Sequence, residues 1–134
     1  MIRRVLLTIF ALVVCLGVTS CGSNINVETG VKHSIYDLDN GDMISFYMTS
    51  DKSSQGVWSY SIDGEAFEIF DETEENQSHG KFNNQTANFK TLILKPKSEG
   101  SAKITFTLEK TGETKEFILT VSKDENKVFR IKAE

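Results

Sequence analysis

Side chains able to do chemistry are scarce in this chain of 134 residues. Its two histidines, His33 and His79, lie 46 positions apart, with no serine-nucleophile motif and no HExxH pattern beside either. Asp37, Asp39, Asn40 and Asp42 have the oxygen density of a calcium loop. Gly41, however, stands at position five of such a loop instead of six, and Met48 occupies position twelve, where a bidentate Glu is needed. The segment therefore reads as a polar turn entering a strand. The acidic run Asp71-Glu72-Thr73-Glu74-Glu75 could attract a cation or a basic partner, and reads more simply as a solvated loop. No catalytic residue, metal ligand set or cofactor is assigned, so the chain is expected not to be an enzyme. A formal charge of -4 without a long basic run also argues against nucleic acid as a partner, because phosphate binding needs clustered Lys and Arg.

The cysteines carry a different chemistry. Arg3 and Arg4 precede an apolar stretch from Val5 to Val18, broken only by Thr8 and Gly17, and Val18-Thr19-Ser20-Cys21 follows at once. This is the anatomy of an export signal, and the stretch is shorter than the roughly 20 residues a spanning helix needs. The last four residues resemble the lipobox of bacterial lipoproteins. That resemblance implies cleavage before Cys21, diacylglycerol and palmitate on its thiol and new amino group, and an extracytoplasmic, lipid-anchored location on a bacterial membrane.

Three segments follow: residues 1–20 as lipoprotein signal peptide, 21–30 as tether, and 31–134 as the folded domain. Removing the signal takes two arginines and no acids, leaving 13 basic and 19 acidic residues and a formal charge of -6. Cys15 leaves with the signal and Cys21 is taken by lipid, so the domain has no thiol for a disulfide, a nucleophile or a metal. About 114 residues suffice for a single core, and the domain is expected to be monomeric.

The elements must come from periodicity, and the period is two. Ile44, Phe46 and Met48 alternate with Ser45 and Tyr47; Trp58, Tyr60 and Ile62 alternate with Ser59 and Ser61. Phe67 and Ile69, then Ile104, Phe106 and Leu108, then Phe117, Leu119 and Val121 repeat the arrangement. Asn40-Gly41-Asp42, Asp63-Gly64, Glu99-Gly100 and Thr111-Gly112 punctuate the runs with residues that accept positive φ. The pattern predicts an all-β fold, an immunoglobulin-like antiparallel β-sandwich of about seven strands with Trp58 in its core, and leaves a small β-barrel open. Asp71 to Asn88, about eighteen residues without strand pattern, reads as a long functional loop. Val128 to Ile131 reads as a last edge strand or a frayed tail.

With the strands placed, the order Gly41-Asp42, Ile44-Ser45-Phe46, Asp51 to Ile62 and Phe67-Glu68-Ile69 resembles the first half of the chagasin-type inhibitors of papain-like cysteine proteases. Leu92 to Leu94, Gly100, Ile104, Phe106, Leu108 and Phe117 to Val121 extend the resemblance, which covers roughly residues 40 to 123. It implies an immunoglobulin-like sandwich that inserts three loops from one end into a protease cleft. The family's first loop, Asn-Pro-Thr-Thr-Gly, falls on Asp51, Lys52, Ser53, Ser54 and Gln55, with Gly56 one place late and no proline. Its second, Gly-x-Gly-Gly, falls between Phe82 and Phe89 near Asn84 and Gln85, where there is no glycine. Its third, Arg-Pro-Trp, falls near Lys110, Thr111 and Gly112, without the aromatic.

The expected function is that of a membrane-anchored, extracytoplasmic binding lipoprotein. The resemblance makes a papain-like cysteine protease its partner; a diverged adhesion or envelope-binding domain without inhibitory activity is the alternative. The membrane is reached through the lipid on Cys21.

Overall fold

The computed structural model describes residues 28–78 and 86–134. Cys21, His79, Asn84 and Gln85 lie outside the described residues. In chain order the elements are β1 (Gly30–Tyr36), β2 (Met43–Asp51), α1 (Lys52–Gln55), β3 (Trp58–Asp63), β4 (Phe67–Ser78), β5 (Thr86–Pro96), β6 (Gly100–Leu108), β7 (Thr114–Lys123) and β8 (Phe129–Ala133). They form two four-stranded antiparallel sheets, ordered β1-β2-β5-β4 and β3-β6-β7-β8. In strand letters these are A-B-E-D and C-F-G, the constant-type immunoglobulin order, with one strand added beyond G. The expected sandwich is therefore present, with eight strands where the pattern counts about seven.

Alternation explains the core. Ile44, Phe46 and Met48 of β2, Trp58 of β3, Leu92 and Leu94 of β5, Ile104, Phe106 and Leu108 of β6 and Leu119 of β7 are all at most 1% exposed, and together fill the space between the sheets. No disulfide joins β2 to β6. In its place Phe46 and Phe106 meet with ring centroids 5.0 Å apart, and Phe117 of β7 lies 5.3 Å from Phe46 and 5.8 Å from Phe106. His33 of β1 sets its ring 5.2 Å from Phe117 in an edge-on arrangement, so this histidine closes the margin of the core. The hairpin expected across Thr111-Gly112-Glu113 forms, with Ile104 opposite Phe117 and Gly100 opposite Val121.

Three expectations are corrected. The stretch from Asp71 to Asn88 is mostly strand: β4 runs to Ser78 and β5 starts at Thr86, with Asp71 opposite Ile93 and Gln77 opposite Ala87. Every β4 residue from Asp71 to Ser78 is polar, so period-two hydrophobicity vanishes on that strand, and the apolar residues of the hairpin, buried Ala87, Leu92 and Ile93 and half-buried Phe89, all lie on β5. Ile69 does not pack inward as the alternation suggests. It is 50% exposed beside a bulge at Phe70, which resets the register between Ile69 and Asp71. A one-turn helix, α1, also interrupts the otherwise all-strand chain. The residues from Phe129 form β8, an edge strand rather than a frayed tail.

The end of the sandwich away from α1 is latched by charge. Arg130 donates to Asp37 at 2.7 Å, Asp42 at 2.8 Å, Asp124 at 2.9 Å and the Leu38 carbonyl at 3.0 Å. Asp42, 6% exposed, also accepts from the Ile131 backbone N–H at 2.9 Å. Two of the acids that give the 37–42 turn its calcium-like look, Asp37 and Asp42, thus face a guanidinium. Among the described residues no group of three or more His, Cys, Asp or Glu is placed to hold a metal ion.

Candidate binding surface at one end of the sandwich

The direction of each strand decides which turns share an end. β2 finishes at Asp51, β3 starts at Trp58, β6 finishes at Leu108 and β7 starts at Thr114, so α1 and the 109–113 turn project from the same end. β4 finishes and β5 starts there too, which places the flanks of Asn84 and Gln85 at this end as well. Asp51, Lys52, Ser53, Ser54, Gln55, Gly56, Lys110, Thr111 and Gly112 are consequently brought together, although the sequence separates the two groups by more than 50 residues.

Local chemistry shapes the first loop. The Asp51 carboxylate accepts from the Ser53 N–H at 3.1 Å and caps α1, while the Gly56 N–H closes the turn on the Lys52 carbonyl at 3.1 Å. The buried Ser50 hydroxyl donates to the Gly56 carbonyl at 2.8 Å, and the Trp58 indole donates to the Thr49 carbonyl at 2.9 Å. Trp58 is therefore both the core's largest side chain and the floor beneath this loop.

The second turn is tied to the first by four bonds. The Lys110 N–H donates to the Gln55 carbonyl at 2.9 Å, Lys110 Nζ to the Ser53 carbonyl at 3.0 Å, and the Glu109 N–H to the Val57 carbonyl at 3.1 Å. The Glu109 carboxylate accepts from the Val57 N–H at 3.3 Å. Gly56 has φ 78°, and a Cβ there would sit 2.8 Å from the Glu109 Cβ and 2.9 Å from its carboxylate, so only glycine permits this approach. On the other side, the Ser53 hydroxyl accepts from the Thr86 N–H at 3.1 Å. Ser54 and Thr111 are exposed, and the Thr111 hydroxyl accepts from the Glu113 N–H at 3.2 Å within its own turn.

Beneath Thr86 lies a polar cluster that sequence reasoning missed. Asn88, fully buried, donates to Asn76 at 2.8 Å and to Glu74 at 3.3 Å. Lys90 lies 3.3 Å from Glu74 and donates to the Trp58 carbonyl at 2.8 Å, tying the hairpin to β3. Burial opposes the ionisation of Glu74, but hydrogen bonds from Asn88 and Lys90 and the nearby Lys90 and Lys52 charges outweigh it and hold the carboxyl below its ordinary range. Tyr60 of β3 is pushed up to about 12 by burial and by the Glu72 carboxylate within hydrogen-bond reach. No local pattern pairs Lys90 with Glu74, which lies 16 positions earlier. An acidic run reads equally well as a loop.

The chain also enters the domain at this end. Gly30 opens β1 opposite Thr49, the Thr29 hydroxyl donates to the Gln55 side chain at 2.6 Å, and the Thr49 hydroxyl donates to the Glu28 carbonyl. Among the described residues no helix is long and apolar enough to cross a membrane. No family model, no curated protein and no solved structure matches the chain.

Proposed function

We propose that this chain is a lipid-anchored binding module, and not an enzyme, that engages a protein through the end of its sandwich where α1 and the 109–113 turn meet. The observation that carries the reading is the set of bonds from Lys110 and Glu109 to Ser53, Gln55 and Val57, which joins two distant turns into one surface before any partner arrives. Fixing loops in advance removes an ordering cost that otherwise falls on affinity. A papain-like cysteine protease is the partner class that the resemblance supports. An envelope-binding role without inhibition is the second reading. It is favoured by the polar makeup of Lys110-Thr111-Gly112, which lacks the aromatic anchor usual at a protease-binding hot spot.

The test is inhibition of a panel of papain-like proteases by the mature chain, compared with Ser54→Arg and Thr111→Arg. Both positions are exposed, so bulky charge there blocks the surface while leaving the ties among the loops intact. Ser98→Arg, at the opposite end, is the control. Sub-micromolar inhibition lost in the first two variants and kept in the third supports the protease reading. Constants weaker than about 100 μM across the panel reject it in favour of the second.

A further inference from the structure

The entry point of the chain carries a consequence for orientation. Glu28 and Thr29 lie against Thr49 and Gln55, inside the candidate surface itself, and only seven positions separate Glu28 from Cys21. Seven residues reach at most about 25 Å even when fully extended. The opposite end, with the 37–42, 64–66, 97–99 and 124–128 turns, is a nine-residue strand farther away, about 30 Å. If Cys21 holds the lipid, Glu28 lies within about 25 Å of it, so the end formed by α1 and the 109–113 turn is the one tethered next to the bilayer.

The chemistry of that surface shows what can meet it there. Glu28, Asp51, Glu109 and Glu113 stand with Lys32, Lys52, Lys110 and Lys115, two of them in the ion pairs Glu28–Lys32 and Glu113–Lys115 at 3.6 Å, so the two signs are mixed and balanced. The exposed residues of the two turns include no aromatic or aliphatic side chain. A surface that docks on lipid needs an apolar face or a basic cluster, and the described residues of this one supply neither. Mixed charge and hydroxyls prearranged by hydrogen bonds suit a polar protein surface instead.

We propose that the loop end of the sandwich faces the membrane that carries the chain, and that its partner is a protein anchored in, or lying on, that same membrane. The proposal rests on the lipoprotein and end-on binding readings above and adds the direction in which the site looks. A partner free in solution must enter the narrow layer between site and bilayer. One already held in that layer meets the site without that obstacle and at raised effective concentration.

The experiment uses the full acylated chain in neutral phosphatidylcholine vesicles, with one reporter cysteine at Thr111→Cys or Ser98→Cys. Energy transfer from a dye on each cysteine to an acceptor dye in the lipid headgroups reads its height. A 5-kDa maleimide-polyethylene glycol reads its accessibility against the same variants made without residues 1–20 and with Cys21→Ser, which have no acyl chain and no other cysteine. The expected result is stronger transfer from position 111 than from position 98, with labelling of 111 slowed severalfold by anchoring and labelling of 98 unchanged. Equal transfer and equal labelling in an acylated chain overturn the orientation while leaving the lipoprotein reading intact. A mature chain whose mass shows no acyl group on Cys21 overturns both.

Discussion

Lys110 Nζ donates to the Ser53 carbonyl at 3.0 Å, a contact between residues 57 positions apart that joins the end of the β6–β7 hairpin to the one-turn helix after β2. The bond is exposed, so its net contribution to global stability is small. Its effect is local, because the same lysine also holds Gln55 through its backbone N–H at 2.9 Å.

Replacing Lys110 by methionine keeps the aliphatic stem and removes the donor. Global stability should fall by about 1 kcal/mol or less, as measured by urea unfolding. Amide exchange at Gly56 and Lys110 should accelerate well beyond what that global loss explains. Unchanged local exchange would mean that the backbone bonds alone hold the two turns together.

Gly56→Ala should be costly, because the new Cβ meets the Glu109 Cβ at 2.8 Å and the backbone sits at φ 78°. Overpacking of this kind costs about 1–3 kcal/mol, visible as a lower urea midpoint with an unchanged slope. Adding Glu109→Gly removes the clashing atoms and should recover part of the loss. What remains is the strain of an alanine at φ 78°, ψ -155°, about 1–3 kcal/mol, together with the lost bond from the Val57 N–H to Glu109.

Asp42→Ala should destabilise the chain far more than Asp37→Ala. Asp42 is buried and satisfies both Arg130 and the Ile131 N–H, so its loss strands a buried donor, a penalty of about 1–3 kcal/mol. The Asp37 side chain is 87% exposed, and its ion pair should contribute less than about 1 kcal/mol. Thermal unfolding of the two variants side by side gives the contrast.

Acid and alkali should weaken the fold through different groups. The Val128 backbone N–H bond, with those from Arg130 and Asn126, holds the Asp124 carboxyl below its ordinary range, as Asn88 and Lys90 hold Glu74. In acid the unfolded chain therefore binds more protons than the folded one, and stability should fall as pH drops below about 4.5. Asp124→Asn should flatten that slope. Tyr60 runs the other way: with its phenol pushed up to about 12, its contribution is full below pH 10 and lost as pH rises through 12. Phenolate absorbance should show a late titration that shrinks in Tyr60→Phe, leaving Tyr47, which burial and Glu75 also raise, and that moves earlier in Glu72→Gln.

The sandwich was legible wherever one strand face is apolar. Phe46 and Phe106, Trp58 and Leu108 stand at alternate positions and are buried as that pattern demands. Legibility failed where a strand leaves the core: Glu72, Glu74 and Asn76 face inward on β4, satisfied by Lys90, Asn88 and Tyr60 instead of by packing, and their run of acids looks like a loop. β1 went unread because Val31, His33 and Ile35, which line its inward side, include a histidine and stay partly exposed. The candidate loops were located through Trp58 and the turn glycines. The bond from Lys110 to Ser53 depends on two hairpins meeting in space, and no local pattern encodes it.

Whether the chain binds protein with the end built from α1 and the 109–113 turn is decided by titrating papain-like proteases with the mature chain and with its Ser54→Arg, Thr111→Arg and Ser98→Arg variants. Binding through that end should give sub-micromolar inhibition that the first two substitutions abolish and the third preserves. Inhibition that survives both Ser54→Arg and Thr111→Arg would contradict it, because the partner would then be held by some other face of the sandwich.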